Sequence, residues 1–197
     1  MDIGKFLAIT AALCHIAAYL DYNRKVFRGE TRPNGATWLI WASLAGLNAS
    51  SYLVMSSDLV KGIFPVINTA LCIGTFVLAL YLKKFEWPDN WDLLALATGL
   101  VAALAWWKYQ SATSANLILQ LAIFWGFIPT YRLVWRDPLS EKPRPWWIWV
   151  GAYVFLTATV VWRWQGQWQD LAYPVNCLIL HCFVPGFVIL RMRKNKK

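Results

Sequence analysis

Two asparagines, Asn68 and Asn176, each lie inside a long stretch of apolar residues. An amide carries two hydrogen-bond donors and an acceptor, which suit the hydroxyl or carboxylate groups of a polar solute. An amide without partners in hydrocarbon costs several kcal/mol. We therefore expect the two side chains to line a substrate pocket. The alternative is that each bonds to a neighbouring helix as part of the packing.

Other polar and aromatic residues recur at helical spacing. One stripe follows positions i, i+4, i+7 and i+11, and a second pair is spaced at i and i+4; the residues are Trp41, Ala45, Asn48 and Tyr52, then Asn116 and Gln120. Such stripes should face the inside of a helix bundle, because polar atoms that face lipid are costly. A pocket lining and a plain seam between helices both fit this pattern.

His15 and His181 are the ionisable side chains deepest in the apolar stretches. Each can titrate near neutral pH and so take part in a proton-coupled step. The alternative is a neutral imidazole that bonds to a backbone carbonyl. The four cysteines lie inside apolar runs, which is typical of small core residues. No nucleophile–base pair, metal-ligand spacing or glycine-rich phosphate loop occurs, so we expect no enzyme, cofactor or metal site.

Composition indicates which solvent surrounds these residues. Hydrophobic residues make up 58% of the 197-residue chain and charged residues 15%, whereas soluble domains average about 25% charged residues. A helix needs about 20 mostly apolar residues to cross a bilayer. Seven stretches approach that length: Ile3–Leu20, Ala36–Met55, Ile63–Leu82, Trp91–Trp107, Ser114–Val134, Trp146–Trp162 and Leu171–Leu190. The sequence predicts an all-α membrane protein with seven transmembrane helices.

The net charge of +9 comes from short basic clusters between the apolar stretches. Fifteen Lys and Arg fall on one side of the predicted bilayer, and four fall on the other: Lys5, Lys61, Lys108 and Arg163. Loops with excess Lys and Arg stay in the cytoplasm. The bias predicts an outer N-terminus and a cytoplasmic C-terminus in the plasma or inner membrane. We interpret these clusters as topology signals rather than a nucleic-acid surface.

Many tryptophans fall near the predicted span ends, among them Trp38 and Trp146. Indole rings favour the headgroup level of a bilayer, where the ring is buried and the N–H is hydrated. For most of these residues, an interfacial anchor is a sufficient explanation.

A single gap-free shift of the sequence by 108 residues, here called the repeat shift, aligns the first part of the chain with the last part. It matches Arg24 with Arg132, Val26 with Val134, Arg28 with Arg136, Trp38 with Trp146, Ile40 with Ile148, Trp41 with Trp149, Asn68 with Asn176 and Leu82 with Leu190. Matched Arg, Trp and Asn residues are rare types in equivalent places. Because three helices end on the side opposite their start, a fourth crossing makes the two halves parallel. Transporters with such repeats bind substrate at the interface of the halves.

Two short segments carry a resemblance to a known superfamily. In the second half Pro129-Thr130 is followed by Arg136, and in the first half Asp21-Tyr22 is followed by Arg28. With the arrangement of three, one and three helices, this resembles the PQ-loop and SWEET superfamily, in which a Pro-Gln pair precedes a basic residue. Neither half keeps the Gln. The segment Lys25–Trp41 also resembles a group of uncharacterised bacterial seven-helix proteins.

The resemblance implies a fold and a site. Sugar transporters of this kind carry an Asn in the third helix of each half, and Asn68 and Asn176 match those positions. Their paired Trp in the second helix is replaced here by Tyr52 and Val160.

We therefore expect two three-helix repeats, residues 1–85 and 111–197, joined by a linker helix at 86–110, with a basic tail. The expected function is transport of a small polar, sugar- or metabolite-like molecule by alternating access; the alternative is a membrane receptor or interaction protein. The predicted substrate-binding residues are Asn68, Asn176, Tyr52, Trp41, Trp149 and His181, and the predicted hinges are Pro65, Pro129, Pro174 and Pro185. The expected partners are the lipid bilayer and the solute, with homo-oligomerisation left open and no nucleic acid.

Overall fold

The computed structural model describes residues 2–194, so positions 195–197 of the predicted basic tail lie outside it. Within this range the chain forms seven α-helices and one short 3₁₀-helix. They are α1 (Ile3–Phe27), α2 (Gly35–Ser56), α3 (Leu59–Tyr81), α4 (Asn90–Tyr109), α5 (Ala112–Arg136), α6 (Pro143–Trp162) and α7 (Ala172–Lys194), with the 3₁₀-helix at Trp168–Leu171. The prediction of an all-α chain is confirmed, and each predicted span corresponds to one helix.

Six of the helices are long and apolar enough to cross a membrane, and α4 falls short of that standard. Helix α4 carries Asp92 in its first turn and Lys108 in its last. These two charged residues shorten its apolar stretch from both ends. The six remaining helices indicate a multi-pass membrane protein.

Polar residues at the helix starts explain where several helices begin. The Asn34 side chain accepts from the Ala36 N–H at 3.0 Å and caps α2. Asp58 accepts from the Val60 N–H at 2.8 Å and caps α3, and Asp89 forms a capping box at the start of α4. Such caps satisfy amide groups that have no partner inside the helix. They fix the short connections that hold the helices side by side.

Six helices contact one another in a closed ring, in the order α1, α3, α2, α5, α7, α6 and back to α1. Helix α4 lies outside this ring, against α5 and α2. The hydroxyl of Thr37 on α2 donates to the buried Asp92 carboxylate on α4 at 3.2 Å. This contact fixes the start of α4 against the outside of the ring.

Two of the three pairs of helix starts follow the repeat shift that carries Asn68 onto Asn176, and the third pair does not, because α7 begins later than the shift of α3 predicts. The same shift carries Gly35, the first residue of α2, onto Pro143, the first residue of α6. It carries Ile3, the first residue of α1, onto the residue just before α5. In the contacts around the ring, the order α1, α3, α2 is followed by the order α5, α7, α6.

Three of the four predicted hinge prolines lie inside helices: Pro65 in α3, Pro129 in α5 and Pro185 in α7. Pro174 is different, because it belongs to the first turn of α7. The first turn of a helix has no intrahelical partner for its N–H groups, so a proline is tolerated there. Pro174 therefore does not interrupt the interior of α7 as the other three prolines interrupt their helices.

Candidate functional site

A central cavity of about 60 Å³ lies inside the helix ring. Its wall is formed by residues from both ends of the chain, and many of them are aromatic. The lining residues are Tyr19, Trp38, Trp41, Leu44, Ala45, Asn48, Asn68, Cys72, Ile123, Phe127, Trp146, Trp149, Tyr153, Tyr173, Cys177 and His181. Four of the six predicted substrate-binding residues are in this wall: Asn68, Trp41, Trp149 and His181. A cavity of this size has room for a few water molecules.

Two matched tryptophan pairs give the cavity its walls. Trp38 and Trp41 come from α2, and their rings meet edge to face with centroids 4.8 Å apart. Trp146 and Trp149 come from α6 and meet in the same way at 5.0 Å. Trp38 and Trp146 are buried, at 3% and 1% exposure, rather than at a membrane surface. The interpretation of these two residues as interfacial anchors is therefore wrong, although their match under the repeat shift is a usable signal.

A glycine allows Trp41 to reach its position. The indole N–H of Trp41 donates to the carbonyl oxygen of Gly126 on α5 at 3.1 Å. A Cβ atom at Gly126 would lie 2.9 Å from the Trp41 Nε1 atom, which is closer than packing allows. The hydrogen bond thus joins α2 to α5 at the cavity wall.

His181 lies among aromatic rings. Its Nδ1 atom is 2.7 Å from the carbonyl oxygen of Cys177. That contact requires the hydrogen on Nδ1 and makes Nε2 the acceptor. The ring centroid lies 4.6 to 5.8 Å from the centroids of four other rings: Phe127, Trp146, Trp149 and Tyr153. The geometry matches the alternative of a histidine bonded to a backbone carbonyl.

Asn68 faces the cavity and also binds to its own half of the chain. Its Oδ1 atom lies 2.9 Å from the Nε2 atom of His15 and accepts from the Tyr19 hydroxyl at 3.0 Å. The Sγ atom of Cys72, one turn further along α3, lies 2.9 Å from the same hydroxyl. The oxygen of Asn68 is therefore fully engaged by α1.

Asn176 is outside the cavity lining. Its Nδ2 atom donates to the backbone oxygen of Gln120 at 3.0 Å and to the side-chain oxygen of Gln120 at 3.3 Å. Gln120 in turn donates to Asn116, and Asn116 donates to Asn48 at 3.1 Å. These amides connect α7, α5 and α2. Asn68 and Asn176 thus each bond to the first helix of their own half, and the structure does not bring both into one wall.

Tyr52 also lies outside the lining, and its hydroxyl donates to the backbone oxygen of Asp170 at 2.9 Å. In a continuous helix this oxygen would accept from the N–H of residue 174. Pro174 has no N–H, so the oxygen is free for the tyrosine. Tyr52 and Pro174 together fix the start of α7.

The bundle end that carries the α2–α3 and α6–α7 connections, here called the Lys61 end, is closed by charged side chains. The ammonium of Lys61 on α3 donates to the Asp170 carboxylate at 2.8 Å, and both side chains are at most 1% exposed. Arg163 bridges Asp58 at 2.7 Å and Asp2 at 3.1 Å. Burial favours protonation of Asp58, but its hydrogen bond from Arg163 holds the pKa of this carboxyl below its usual value. The ion pairs join both ends of the chain.

The opposite end, here called the Glu141 end, contains a vestibule of about 450 Å³. Its walls carry charged residues of both signs: Arg32, Glu86, Asp89, Asp92, Arg132, Arg136 and Glu141. Pro129, Thr130 and Arg136, the residues of the sequence motif, are part of this wall. The vestibule is large enough for a small organic molecule.

Aromatic rings separate the vestibule from the central cavity. Tyr22 lines the vestibule, and its ring centroid lies 5.3 Å from that of Trp38 and 6.4 Å from that of Trp146. Glu141 accepts from the Tyr22 hydroxyl at 3.2 Å and from the Trp146 indole N–H at 3.0 Å. Burial raises the pKa of the Glu141 carboxyl to about 8, against the lowering effect of these hydrogen bonds. Glu141 holds the aromatic layer in place.

Sequence reasoning does not find the Lys61–Asp170 pair or Glu141. Hydropathy places Lys61 among the loop cations, yet its side chain is fully buried. Its partner is 109 residues away in the chain, and no spacing rule links the two. Glu141 lies in a charged connection and gives no signal of burial.

Metal chemistry and known relatives do not narrow the function further. Among residues 2–194 there is no group of three His, Cys, Asp or Glu placed to hold a metal ion. No family model, curated protein or solved structure matches the chain. The cavity, the vestibule and the buried ion pairs are the features from which a function can be inferred.

Proposed function

We propose that the protein carries a small polar molecule across a membrane by alternating access between two three-helix units. The first unit is residues 1–85 and the second is residues 111–197, with 86–110 as a linking seventh span. The observation that carries this proposal is the asymmetry around the central cavity. Ion pairs close it at the Lys61 end, while a vestibule approaches it at the Glu141 end. A transporter with access from one side has this arrangement.

The pattern of contacts between the helices supports two units. Within each unit the first helix contacts the third, and the third contacts the second. Between units, α1 contacts α6 and α2 contacts α5, which are equivalent pairs under the repeat shift. The paired tryptophans supply further support, because both members of each pair face the same cavity. This arrangement is the one that the PQ-loop and SWEET resemblance implies.

The Lys61–Asp170 pair is suited to act as an outer gate. Lys61 belongs to the first unit and Asp170 to the second. Two buried charges attract each other strongly only while they stay in contact. If they separate while still buried, each unpaired charge raises the free energy of the protein. Separation of the units would hydrate both groups at once. The pair therefore favours two discrete states, closed and open, over intermediate ones.

The substrate contacts in this proposal come from the four predicted residues that line the cavity: Asn68, Trp41, Trp149 and His181. Asn176 and Tyr52 act behind the cavity, where they hold α7 against α5 and α2. Their role is to position the wall rather than to touch the solute.

Three prolines provide flexibility in this mechanism. Pro65, Pro129 and Pro185 lie inside helices of both units. Each removes one backbone hydrogen bond, which eases bending of α3, α5 and α7.

The positive-inside bias supports an orientation with the Lys61 end outside and the Glu141 end in the cytoplasm. A cysteine introduced at Arg28 should then resist an impermeant thiol reagent in intact cells, while one at Gly166 should react. The reverse pattern would overturn the orientation but leave the transport proposal standing.

The function is tested by a reversible lock at the Lys61 end. In proteoliposomes, counterflow of sugars, amino acids, vitamins and organic cations identifies any exchanged solute. The four native cysteines are free and are first replaced by Ala, because two of them line the cavity. In that background, a short bifunctional methanethiosulfonate reagent, which joins two thiols through disulfides, should abolish exchange by a Lys61→Cys, Asp170→Cys double variant. A reductant should restore it. A matched control is Asp21→Cys, Lys25→Cys, since that ion pair lies within α1 and its cross-link should not affect exchange.

Two results would contradict the proposal. Saturable binding of a solute without counterflow by the wild-type protein indicates a receptor. Unchanged exchange in the cross-linked variant would show that the Lys61 end does not need to open.

A further inference from the structure

The central cavity contains many aromatic rings and no charge. Eight of its lining side chains are Trp, Tyr or Phe, and none of the described lining residues is Asp, Glu, Lys or Arg. The faces of such rings carry partial negative charge and attract cations. An anionic ligand would be repelled by the rings and would find no cation to pair with. The wall chemistry therefore favours a cationic or neutral ligand.

The amide oxygens of the wall are already engaged within the protein. The Asn68 oxygen accepts from Tyr19 and contacts His15. The Asn48 oxygen accepts from Asn116. A ligand donor would have to compete with these internal donors for each oxygen.

Several N–H and O–H groups of the wall are engaged as well. The indole N–H of Trp41 donates to Gly126, and the hydroxyls of Tyr153 and Tyr173 contact each other. A ligand with many hydroxyl groups would leave most of them without partners, which is costly for a buried polar group. A sugar therefore matches this wall poorly.

Two donors in the wall have no partner among the described residues: the Trp149 indole N–H and the Asn48 amide N–H. Both are buried. A ligand hydroxyl oxygen suits either donor. The remaining surface needs a group that makes no hydrogen bonds.

We propose that the cavity binds a quaternary ammonium compound, with its methylated nitrogen among the Trp, Tyr and Phe rings and its single oxygen at the Asn48 amide N–H. A methylated nitrogen has positive charge but no N–H, so it demands no acceptors from the wall. Aromatic cages recognise such groups through ring faces. This inference names the substrate class of the proposed transporter. It rests on the central cavity being its substrate site and on the cavity walls parting to admit a ligand of the size of choline, because about 60 Å³ holds only a few water molecules.

Charge outside the cavity is compatible with the same ligand. The vestibule sets four carboxyl groups against three arginines, and one of these carboxyl groups, Glu141, accepts the N–H of Trp146 in the cavity wall. Because burial raises the pKa of Glu141 to about 8, this carboxyl is mostly neutral near pH 7, and three carboxylates then face three arginines. The vestibule therefore does not repel a cation on its way in. A cation behind the aromatic layer would in turn favour the ionised form of Glu141.

Equilibrium binding of radiolabelled choline to the purified full-length protein tests this inference. Choline should bind saturably, and tetramethylammonium should displace it. Dimethylbutanol has the shape of choline with carbon in place of nitrogen, so it isolates the charge. It should compete at least about tenfold more weakly than choline. Equal competition by dimethylbutanol, displacement by glucose, or no saturable choline binding would overturn the inference.

Two different substitutions of Trp149 locate the site, so that the conclusion does not depend on the correct folding of a single variant. Trp149→Leu should weaken choline binding by about tenfold or more, while Trp149→Phe should retain a ring face and most of the affinity. Trp107 is 78% exposed, so Trp107→Leu is the matched control and should bind as wild type. Equal weakening by Trp149→Phe and Trp149→Leu, or weakening by Trp107→Leu, would place the cation elsewhere.

The outcomes separate this inference from the transport proposal. Choline binding without counterflow of choline would remove the transport function and keep the cation site. Counterflow of a sugar together with no choline binding would keep transport and overturn the cation site.

Discussion

The two ends of the helix bundle use charged residues in opposite ways. At the Lys61 end, Lys61 and Asp170 are fully buried against each other, and Arg163 bridges two further carboxylates. At the Glu141 end, seven charged residues line an open vestibule, and the barrier to the cavity is a layer of aromatic rings. A dry seal made of ion pairs depends on matched partners, whereas an aromatic layer beside water depends on packing. The same helix ring is therefore sealed at one end by ion pairs and at the other by aromatic rings and the buried Glu141 carboxyl, which lie at the floor of an open vestibule.

The largest effect should follow removal of one partner of the dry seal. Lys61→Ala leaves Asp170 buried without a counterion, which typically costs about 3–5 kcal/mol, and should lower the thermal unfolding midpoint of the purified protein strongly. Lys25→Ala removes a pair whose side chains are 15% exposed, and should cost less than about 1 kcal/mol. Similar effects of the two variants would show that the Lys61 end is hydrated after all. A Lys61→Met, Asp170→Leu double variant should recover most of the loss.

The contribution of Glu141 to the stability of the folded protein should depend on pH. Its carboxyl has a pKa of about 8 in the folded protein, raised by burial from an ordinary value of 4.5. The folded state therefore keeps its proton where the unfolded state has lost it. This contribution is fully present below pH 4.5, falls as pH rises between the two values, and is absent above pH 8. A tenfold difference in proton affinity corresponds to about 1.4 kcal/mol, so the loss amounts to a few kcal/mol.

Thermal unfolding midpoints of the wild type and of Glu141→Gln, measured across that pH range, check this expectation. The amide has no proton to lose, so the variant should lack the part of the decline that Glu141 causes. Parallel curves for the two proteins would mean that Glu141 is hydrated and carries an ordinary pKa.

Two tyrosine variants sharpen the contrast between the two ends, with smaller effects. Tyr52→Phe leaves the Asp170 backbone oxygen without its hydroxyl partner, in a place closed to water, and should cost about 1–3 kcal/mol. Tyr22→Phe removes a hydrogen bond to Glu141, which keeps the Trp146 N–H as a partner, and should cost about 0.5–1.5 kcal/mol. Urea-dependent unfolding followed by circular dichroism measures both. A larger loss for Tyr22→Phe would reverse the assignment of dry and wet ends.

Apolar run length predicts the helices well, because the bilayer sets a minimum length that sequence patterns reveal directly. The helix ends are less well predicted. Helix α1 continues to Phe27, past the predicted end at Leu20, since Lys25 pairs with Asp21 one turn earlier and extends the helix beyond the apolar stretch. Residues outside the lipid leave no hydropathy signal.

The site is predicted only in part, and the reason is three-dimensional. The stripe on α2 points inward as expected, so Trp41, Ala45 and Asn48 line the cavity. The repeat shift predicts one pocket for both asparagines, but Asn176 bonds to Gln120 instead. Its neighbours on α5 come from a different part of the chain, and only packing decides which polar group lies closest. Both asparagines bond to the first helix of their own half, but to different side chains there, so equivalent positions need not face the same cavity.

The central claim is that the two ends open in alternation, and spin-label distances test it directly. One label pair would report on the Lys61 end from the exposed residues Leu59 and Trp168, and a second pair would report on the Glu141 end from Tyr81 and Leu139. Lys61→Ala with Asp170→Ala, which removes the buried ion pair at the Lys61 end, should lengthen the first distance and shorten the second. Two distances that stay fixed, or that lengthen together, would contradict alternating access.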